Sequence, residues 1–203
     1  MTDRLACPRC GPTFGLILLA RDLQNRRVLD GTLGCSNCRE RYPIEKGFVD
    51  LRPSPRHSEA TGPMPGDDSP DVALRIAALL GVTEGPGNLL LTGSSALQAA
   101  QVAALVPGVE ILAAHAQARG EPEREDVSRM WIDSPFPFQS GVLRGVVLEG
   151  PSGVDLLSEG IRVMARGARL VFLDPPPGTV EAMAEAGLEI LLSDDVAGVG
   201  TLK

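Results

Sequence analysis

The sequence predicts an α/β protein in which a doubly wound, mainly parallel sheet follows a small, β-rich, cysteine-bearing module. Three observations carry this expectation. Two C-x-x-C knuckles, Cys7-Pro8-Arg9-Cys10 and Cys35-Ser36-Asn37-Cys38, stand 24 residues apart in the first fifth of the chain. Beyond a stretch rich in proline and glycine, continuous apolar runs of strand length alternate with segments of helical periodicity, as expected for strands buried on both faces and joined by crossover helices. A length of 203 residues with 43% hydrophobic and 22% charged content allows a sizeable core and excludes a disordered or fibrous chain.

The elements follow in order. FGLILLA (14–20) reads as a strand, QNRR (24–27) as a polar turn and GTLGC (31–35) as the return strand that brings in the second cysteine pair. Each knuckle directs both thiolates toward one point. Two facing knuckles supply the four sulfurs of a closed tetrahedral zinc site, so Cys7, Cys10, Cys35 and Cys38 are the expected metal ligands. With four protein ligands no position is left for water, which makes the metal structural. A ribbon of about 50 residues cannot bury enough apolar surface to fold alone, and zinc binding worth about 10–16 kcal/mol would supply most of its stability. Disulfides and a rubredoxin-like iron site are the alternatives; Arg39, where a small glycine is usual, disfavours the iron site.

From 53 to 70 the chain runs PSPRHSEATGPMPGDDSP, whose five prolines, two glycines and missing hydrophobic periodicity mark a linker. The expected organisation is a ribbon over 1–56, a linker over 57–70 and an α/β unit over 71–203, tethered without fixed mutual geometry. His57, alone in the linker, reads as solvated. Next, SPDVALRIAALLGV begins with Ser69 as N-cap and Pro70 at the first helical position and sets Val72, Ile76, Leu79 and Leu80 on one face. Strands are expected near 89–92, 109–113, 129–132, 145–148, 170–173 and 188–192, with helices over 95–105, 154–166 and 179–186. The last segment, GLEILLSDDVAGVGTLK, reads as two short strands turning at Asp194 and Asp195.

Charge is divided unevenly. Residues 1–56 hold ten Lys/Arg against six Asp/Glu, net +4, and the remainder holds nine against twenty, net −11. A charge of +4 spread over the ribbon falls short of a dedicated nucleic-acid footprint, and an aromatic content of 3% offers few platforms for stacking bases. RNA contact through the basic end is therefore the lesser expectation. No apolar run approaches the roughly 20 residues of a membrane span and no signal peptide is visible, so a cytoplasmic protein is expected, with reduced cysteines.

Leu33, Cys35, Cys38, Tyr42, Pro43, Ile44, Gly47 and Leu51 meet the pattern L-x-C-x-x-C-x-x-x-Y-P-I-x-x-G-x-x-x-L. In this the first quarter of the chain resembles the small zinc-ribbon methyltransferase-activator family, whose members stabilise tRNA, rRNA and release-factor methyltransferases. The chain departs from the bacterial pattern at Lys46 and Val49. The order of elements after residue 71, with SPFPFQSGVLRGVVLEG and LLSEGIRVMARGARLVFLD, resembles the Rossmann-like S-adenosylmethionine-dependent methyltransferase fold.

That second resemblance implies a cofactor site whose residues are largely missing. Its glycine motif D-x-G-x-G-x-G, aligned on Gly93, places Leu91 at the acid, Ser95 at the second glycine and Leu97 at the third. The ribose-binding acid after the next strand is absent from ILAAHAQ, where His115 is the polar group. Asp133 stands near the place of an adenine-reading acid but reads better as a turn residue, Ser94 as a helix cap, and Glu149 and Gly150 as unremarkable. Asp174-Pro175-Pro176-Pro177 resembles the D-P-P-Y motif of nitrogen-directed methyltransferases, yet follows the fifth strand rather than the fourth and reads as an exit loop. No residue is assigned a catalytic or cofactor-binding role, and S-adenosylmethionine binding is not expected. The expected function is a zinc-binding pseudoenzyme that acts on a protein partner, perforce without chemistry of its own; an active methyltransferase, acting on RNA, is the alternative.

Overall fold

In the computed structural model, residues 2–54 and 69–203 are described. The ribbon comprises β1 (Ala6–Cys7), β2 (Gly11–Gln24), β3 (Arg27–Cys35), β4 (Arg41–Glu45) and β5 (Phe48–Asp50), each antiparallel to the next. Two-residue loops join β2 to β3 and β4 to β5, and both need left-handed backbone. Asn25 and Arg26 stand at φ 47° and 65°, Lys46 and Gly47 at 49° and 70°, the sense of turn that matches the twist of a hairpin. The register Leu16↔Cys35, Leu18↔Leu33 and Leu33↔Tyr42 puts these side chains on one face. Ile17 and Leu19 then fall on the opposite face, 56% and 66% exposed.

The α/β segment begins with α1 (Pro70–Leu80), capped as its sequence predicts: Ser69 accepts a hydrogen bond from the Asp71 N–H, and Gly81 ends the helix in a left-handed conformation. There follow β6 (Gly87–Thr92), α2 (Ala99–Leu105), β7 (Val109–Ala114), β8 (Val127–Trp131), β9 (Leu143–Glu149), α3 (Gly150–Asp155), α4 (Leu157–Val163), β10 (Met164–Leu173), α5 (Thr179–Glu185), β11 (Glu189–Ser193) and β12 (Ala197–Thr201). Strands β8-β7-β6-β9-β10 are parallel, and β12 and β11 close the series antiparallel. The final turn is held by Asp194, which accepts from the Val196 and Ala197 N–H groups. No helix among the described residues is long and apolar enough to cross a membrane.

Two helices differ from expectation. The segment expected as one helix over 95–105 starts as a 3-10 turn, Gly93–Gln98, before α2. The one expected over 154–166 is split at Leu156 and stops at Val163, because Met164 pairs with Leu143 and enters β10. Ladder bonds to β9 outcompete a last helical turn there. Between β8 and β9 no helix forms; the chain passes through Phe136 and Phe138, both fully buried. Arg162 donates to the Phe136 and Phe138 carbonyls, and Glu159 accepts from the Phe136 N–H.

Ribbon and α/β segment are not loosely tethered, and this corrects the sequence expectation of an unfixed geometry. β5 lies parallel to β8, with Phe48↔Arg129, Val49↔Met130 and Asp50↔Trp131 in register, so the strands among the described residues form one twelve-stranded sheet. A second seam joins the N-terminus to the loop before β9: Ala6 N–H donates to Pro137 O at 2.9 Å, and Gln139 N–H to Arg4 O at 3.0 Å. Leu5, Leu16, Leu33 and Tyr42 share one buried cluster with Leu112, Met130, Phe136 and Phe138. The ribbon thus covers the β7–β8 part of a sheet face whose β9–β10 part is covered by α4. The expected linker, with His57, lies outside the described residues except for Ser69 and Pro70.

Charged groups complete the junction. Arg129, 4% exposed, donates to Lys46 O in the ribbon, to Glu121 O and, at 2.5 Å, to Glu123. Arg27 at the hairpin end reaches Glu123 at 2.5 Å as well as Glu125 O and Val127 O. One carboxylate therefore ties two arginines across the seam.

Candidate functional site

The hairpin register brings Cys35 at the end of β3 beside Cys7 at the end of β1, and the two knuckles close over each other. All four Sγ atoms lie within 4.8 Å of one another. Cys7 and Cys38 are 3.7 Å apart, Cys10 and Cys35 3.8 Å. A tetrahedron with metal–sulfur bonds of about 2.3 Å has sulfur–sulfur edges of about 3.8 Å, so the donor set has the dimensions and the softness that zinc takes. None of the four is in a disulfide. Each knuckle is closed by its own backbone: Cys10 N–H donates to Cys7 O, and Arg39 N–H to Cys35 O. Arg39 meets the left-handed conformation after the second knuckle, φ 61°, without being glycine.

The surroundings hold the sulfurs unequally. Burial pushes the Cys7 thiol up to about 12 against the Arg9 and Cys10 N–H groups. Burial also opposes ionisation of Cys35, but the Cys38 and Asn37 N–H groups outweigh it and bring that thiol down to about 7. Backbone donors thus favour one thiolate and leave another to be ionised by a cation. Leu33, Tyr42, Ile44 and Leu51, all part of the sequence pattern above, are buried, and Tyr42 Oη lies 3.8 Å from Cys7 Sγ. Their part is to pack the wall behind the cluster.

The second candidate is the crevice at the C-terminal ends of β6, β7 and β9, where a doubly wound sheet holds its ligand. Gly93 makes the turn after β6 at φ 64°. Leu91, in place of the motif acid, is fully buried in the core, and Ser95 is buried with its hydroxyl donating to Thr92 O at 2.6 Å. Ser94 does not cap the helix as expected. Its hydroxyl donates to Glu149 Oε1 at 2.5 Å, and Ser95 N–H donates to Glu149 Oε2 at 3.1 Å. A Cβ on Gly93 would lie 2.7 Å from that same Oε2. Glu149, unremarkable in the sequence, is therefore the group that fills the turn, and its 55-residue separation from Ser94 left no local signal.

His115 stands at the end of β7, where the ribose acid would be. Its Nδ1 accepts from the Gln117 N–H at 3.2 Å, so it caps the short turn that follows. Burial lowers its pKa, opposed by the charge of Glu149. Asp133 is exposed and accepts from the Ser134 N–H at 2.8 Å, a turn role. Asp174 is exposed at φ 47° where β10 ends, and Pro176 O accepts from the Thr179 N–H and hydroxyl as α5 begins, which makes 174–177 a rigid exit loop.

No protein-family model matches the sequence, and no curated protein matches it significantly. Solved structures do resemble the chain. Precorrin-6y C5,15-methyltransferase from Geobacter metallireducens superposes with a TM-score of 0.50 at 13% identity over 66% of this chain and 88% of that one. The 4+2 cyclase SpnF gives 0.50 at 18% identity over 63% and 59%. A complex of the Haloferax volcanii Trm112 methyltransferase activator with a methyltransferase candidate gives 0.48 at 14% identity over 64% and 88%. At such identities the likeness shows the fold: a Rossmann-like, methyltransferase-type α/β sheet with a cysteine cluster in its N-terminal strands.

Proposed function

We propose that this protein is a zinc-binding, methyltransferase-like pseudoenzyme, organised as a ribbon (1–56), linker (57–70) and α/β unit (71–203), that works by binding a protein partner in the cytoplasm. One observation carries the reading: the Glu149 carboxylate is hydrogen-bonded into the glycine turn where an adenosyl cofactor's amino-acid end would have to approach. The core position of Leu91 supports it, since an apolar side chain there supplies no acid to order the turn. Cys7, Cys10, Cys35 and Cys38 hold the zinc, which stiffens the ribbon and does no chemistry.

The partner meets a surface that the fold leaves open. β5, one flank of the ribbon, is already paired with β8, so docking uses another face, such as the one carrying Ile17 and Leu19. Calorimetry of the zinc-loaded chain with S-adenosylmethionine tests the central claim. No heat of binding up to millimolar ligand is expected; micromolar binding would establish the active-enzyme alternative. A methyltransferase co-purifying from the native host, lost from the Ile17→Asp, Leu19→Asp variant, is the expected result for the partner. An RNA shift that weakens on Arg26→Glu, at the exposed hairpin tip of the basic end, would replace it.

A further inference from the structure

A cavity of about 810 Å³ lies at the edge of the sheet opposite the crevice, where the β2–β3 hairpin overhangs the N-terminal ends of β7 and β8. Small-molecule sites occupy roughly 300–1,000 Å³. Leu18 and Leu33 form the hairpin side of the wall, on the face away from Ile17 and Leu19, and Ile44, Val49 and Met130 continue it across the ribbon and β8. The charges around the cavity balance: Arg26, Arg27, Arg124 and Arg129 meet Glu110, Glu123, Glu125 and Asp126. Arg124 holds Asp126 at 3.2 Å, and Arg27 and Arg129 share Glu123. Glu110, 3.9 Å from Arg27, accepts from the Ser128 hydroxyl at 2.5 Å and from Asn88 at 3.2 Å. A balanced set favours an uncharged ligand, since a charged one would lose its hydration without meeting a net counter-charge. One group on the wall remains unsatisfied. Arg129, 4% exposed, spends its terminal nitrogens on Lys46 O, Glu121 O and Glu123, and its Nε has no hydrogen-bond partner among the described residues. A buried N–H without an acceptor is destabilising, and a ligand oxygen would remove that cost.

We propose that this cavity binds an uncharged, mainly aliphatic molecule carrying one carbonyl, with its chain against Leu18, Leu33, Ile44, Val49 and Met130 and its oxygen accepting from Arg129 Nε. The apolar wall gives affinity for the chain, and the arginine fixes which end of the molecule enters. The site is separate from the turn at Gly93 and does not depend on the pseudoenzyme reading.

The test titrates the full zinc-loaded chain, labelled for NMR at nitrogen and at methyl groups, with octan-2-one and separately with octanoate. Octan-2-one is expected to shift the Leu18 and Met130 methyls and the Arg129 Nε–H resonance along one saturable curve, with a dissociation constant on the order of 0.1–1 mM. Octanoate, which carries a charge into a balanced site, is expected to bind about tenfold more weakly or less. Leu18→Trp, which fills the wall, is expected to abolish the shifts while zinc content stays unchanged. No saturable shift in the wild type up to the solubility of octan-2-one overturns the proposal, and this titration decides the matter even if Leu18→Trp does not fold. Methyl shifts with an unmoved Arg129 Nε–H overturn the assignment of the carbonyl, and octanoate binding as tightly as the ketone overturns that of an uncharged ligand. S-adenosylmethionine binding would sink the function proposed above and leave the ketone response standing.

Discussion

The cysteine cluster and the crevice after β6 are built by the same kind of act, a tight turn presenting groups to a common centre, yet one leaves four sulfurs that could hold a metal ion and the other turns inward to its own chain. At the cluster four sulfurs converge within 4.8 Å of one another, with the Cys7–Cys38 and Cys10–Cys35 edges at 3.7 and 3.8 Å. At the crevice the donors of Ser94 and Ser95 converge on Glu149. The difference teaches that convergence alone does not mark a binding site. What matters is whether the converging groups still need something. Four thiols close together need a cation, whereas a hydroxyl, an N–H and a carboxylate satisfy one another.

The junction of the two regions determines how far damage to one spreads. Removing the metal should have the largest effect, because a zinc site worth about 10–16 kcal/mol matches or exceeds the roughly 5–15 kcal/mol net stability of a domain. Chelation, or Cys35→Ser, is expected to lower the melting of the whole chain in one cooperative step, since β5 and Leu5 belong to the sheet and core of the α/β segment. An α/β transition left in place after chelation would separate the regions again. Leu5→Ala at the seam should cost about 2–5 kcal/mol with metal still bound, read from chemical denaturation of a variant with unchanged zinc content.

Gly93→Ala probes the inward turn. A left-handed backbone costs a non-glycine residue about 1–2 kcal/mol, and displacing Glu149 adds to it. In a Glu149→Ala background the penalty should shrink to the backbone part; an undiminished penalty in the double-mutant cycle would mean that Glu149 does not press on the turn. The smallest effect concerns pH. Burial would raise the Glu159 carboxyl, but Arg162 and the Phe136 N–H outweigh it and hold it below its ordinary 4.5. Its stabilisation is therefore complete above that value and is lost as pH falls through the lower, folded value. The melting-temperature gap between wild type and Glu159→Gln should stay constant above about pH 6 and narrow as pH falls below the ordinary 4.5.

What could be read without coordinates were features whose parts lie a few residues apart. The C-x-x-C knuckles, the Ser69 cap, the hairpin turns and the apolar runs of β6, β7 and β9 each depend on short-range geometry and side-chain period, which a sequence displays directly. Boundaries decided by competition, such as Met164 leaving its helix for β10, were not legible, because the ladder partner Leu143 lies outside the local window.

By itself the sequence determined the number and spacing of the cysteines, the alternation that makes an α/β sheet, and the apolar residues Leu91 and Leu97 around the turn after β6. The tertiary structure alone decided that β5 completes the sheet beside β8, that Leu5 packs with Phe138, and that Glu149 fills the turn of Gly93. The physical reason is one of distance along the chain. Those contacts join groups separated by tens of residues, and only packing of the finished sheet says which of many carboxylates, strand edges and apolar side chains will meet.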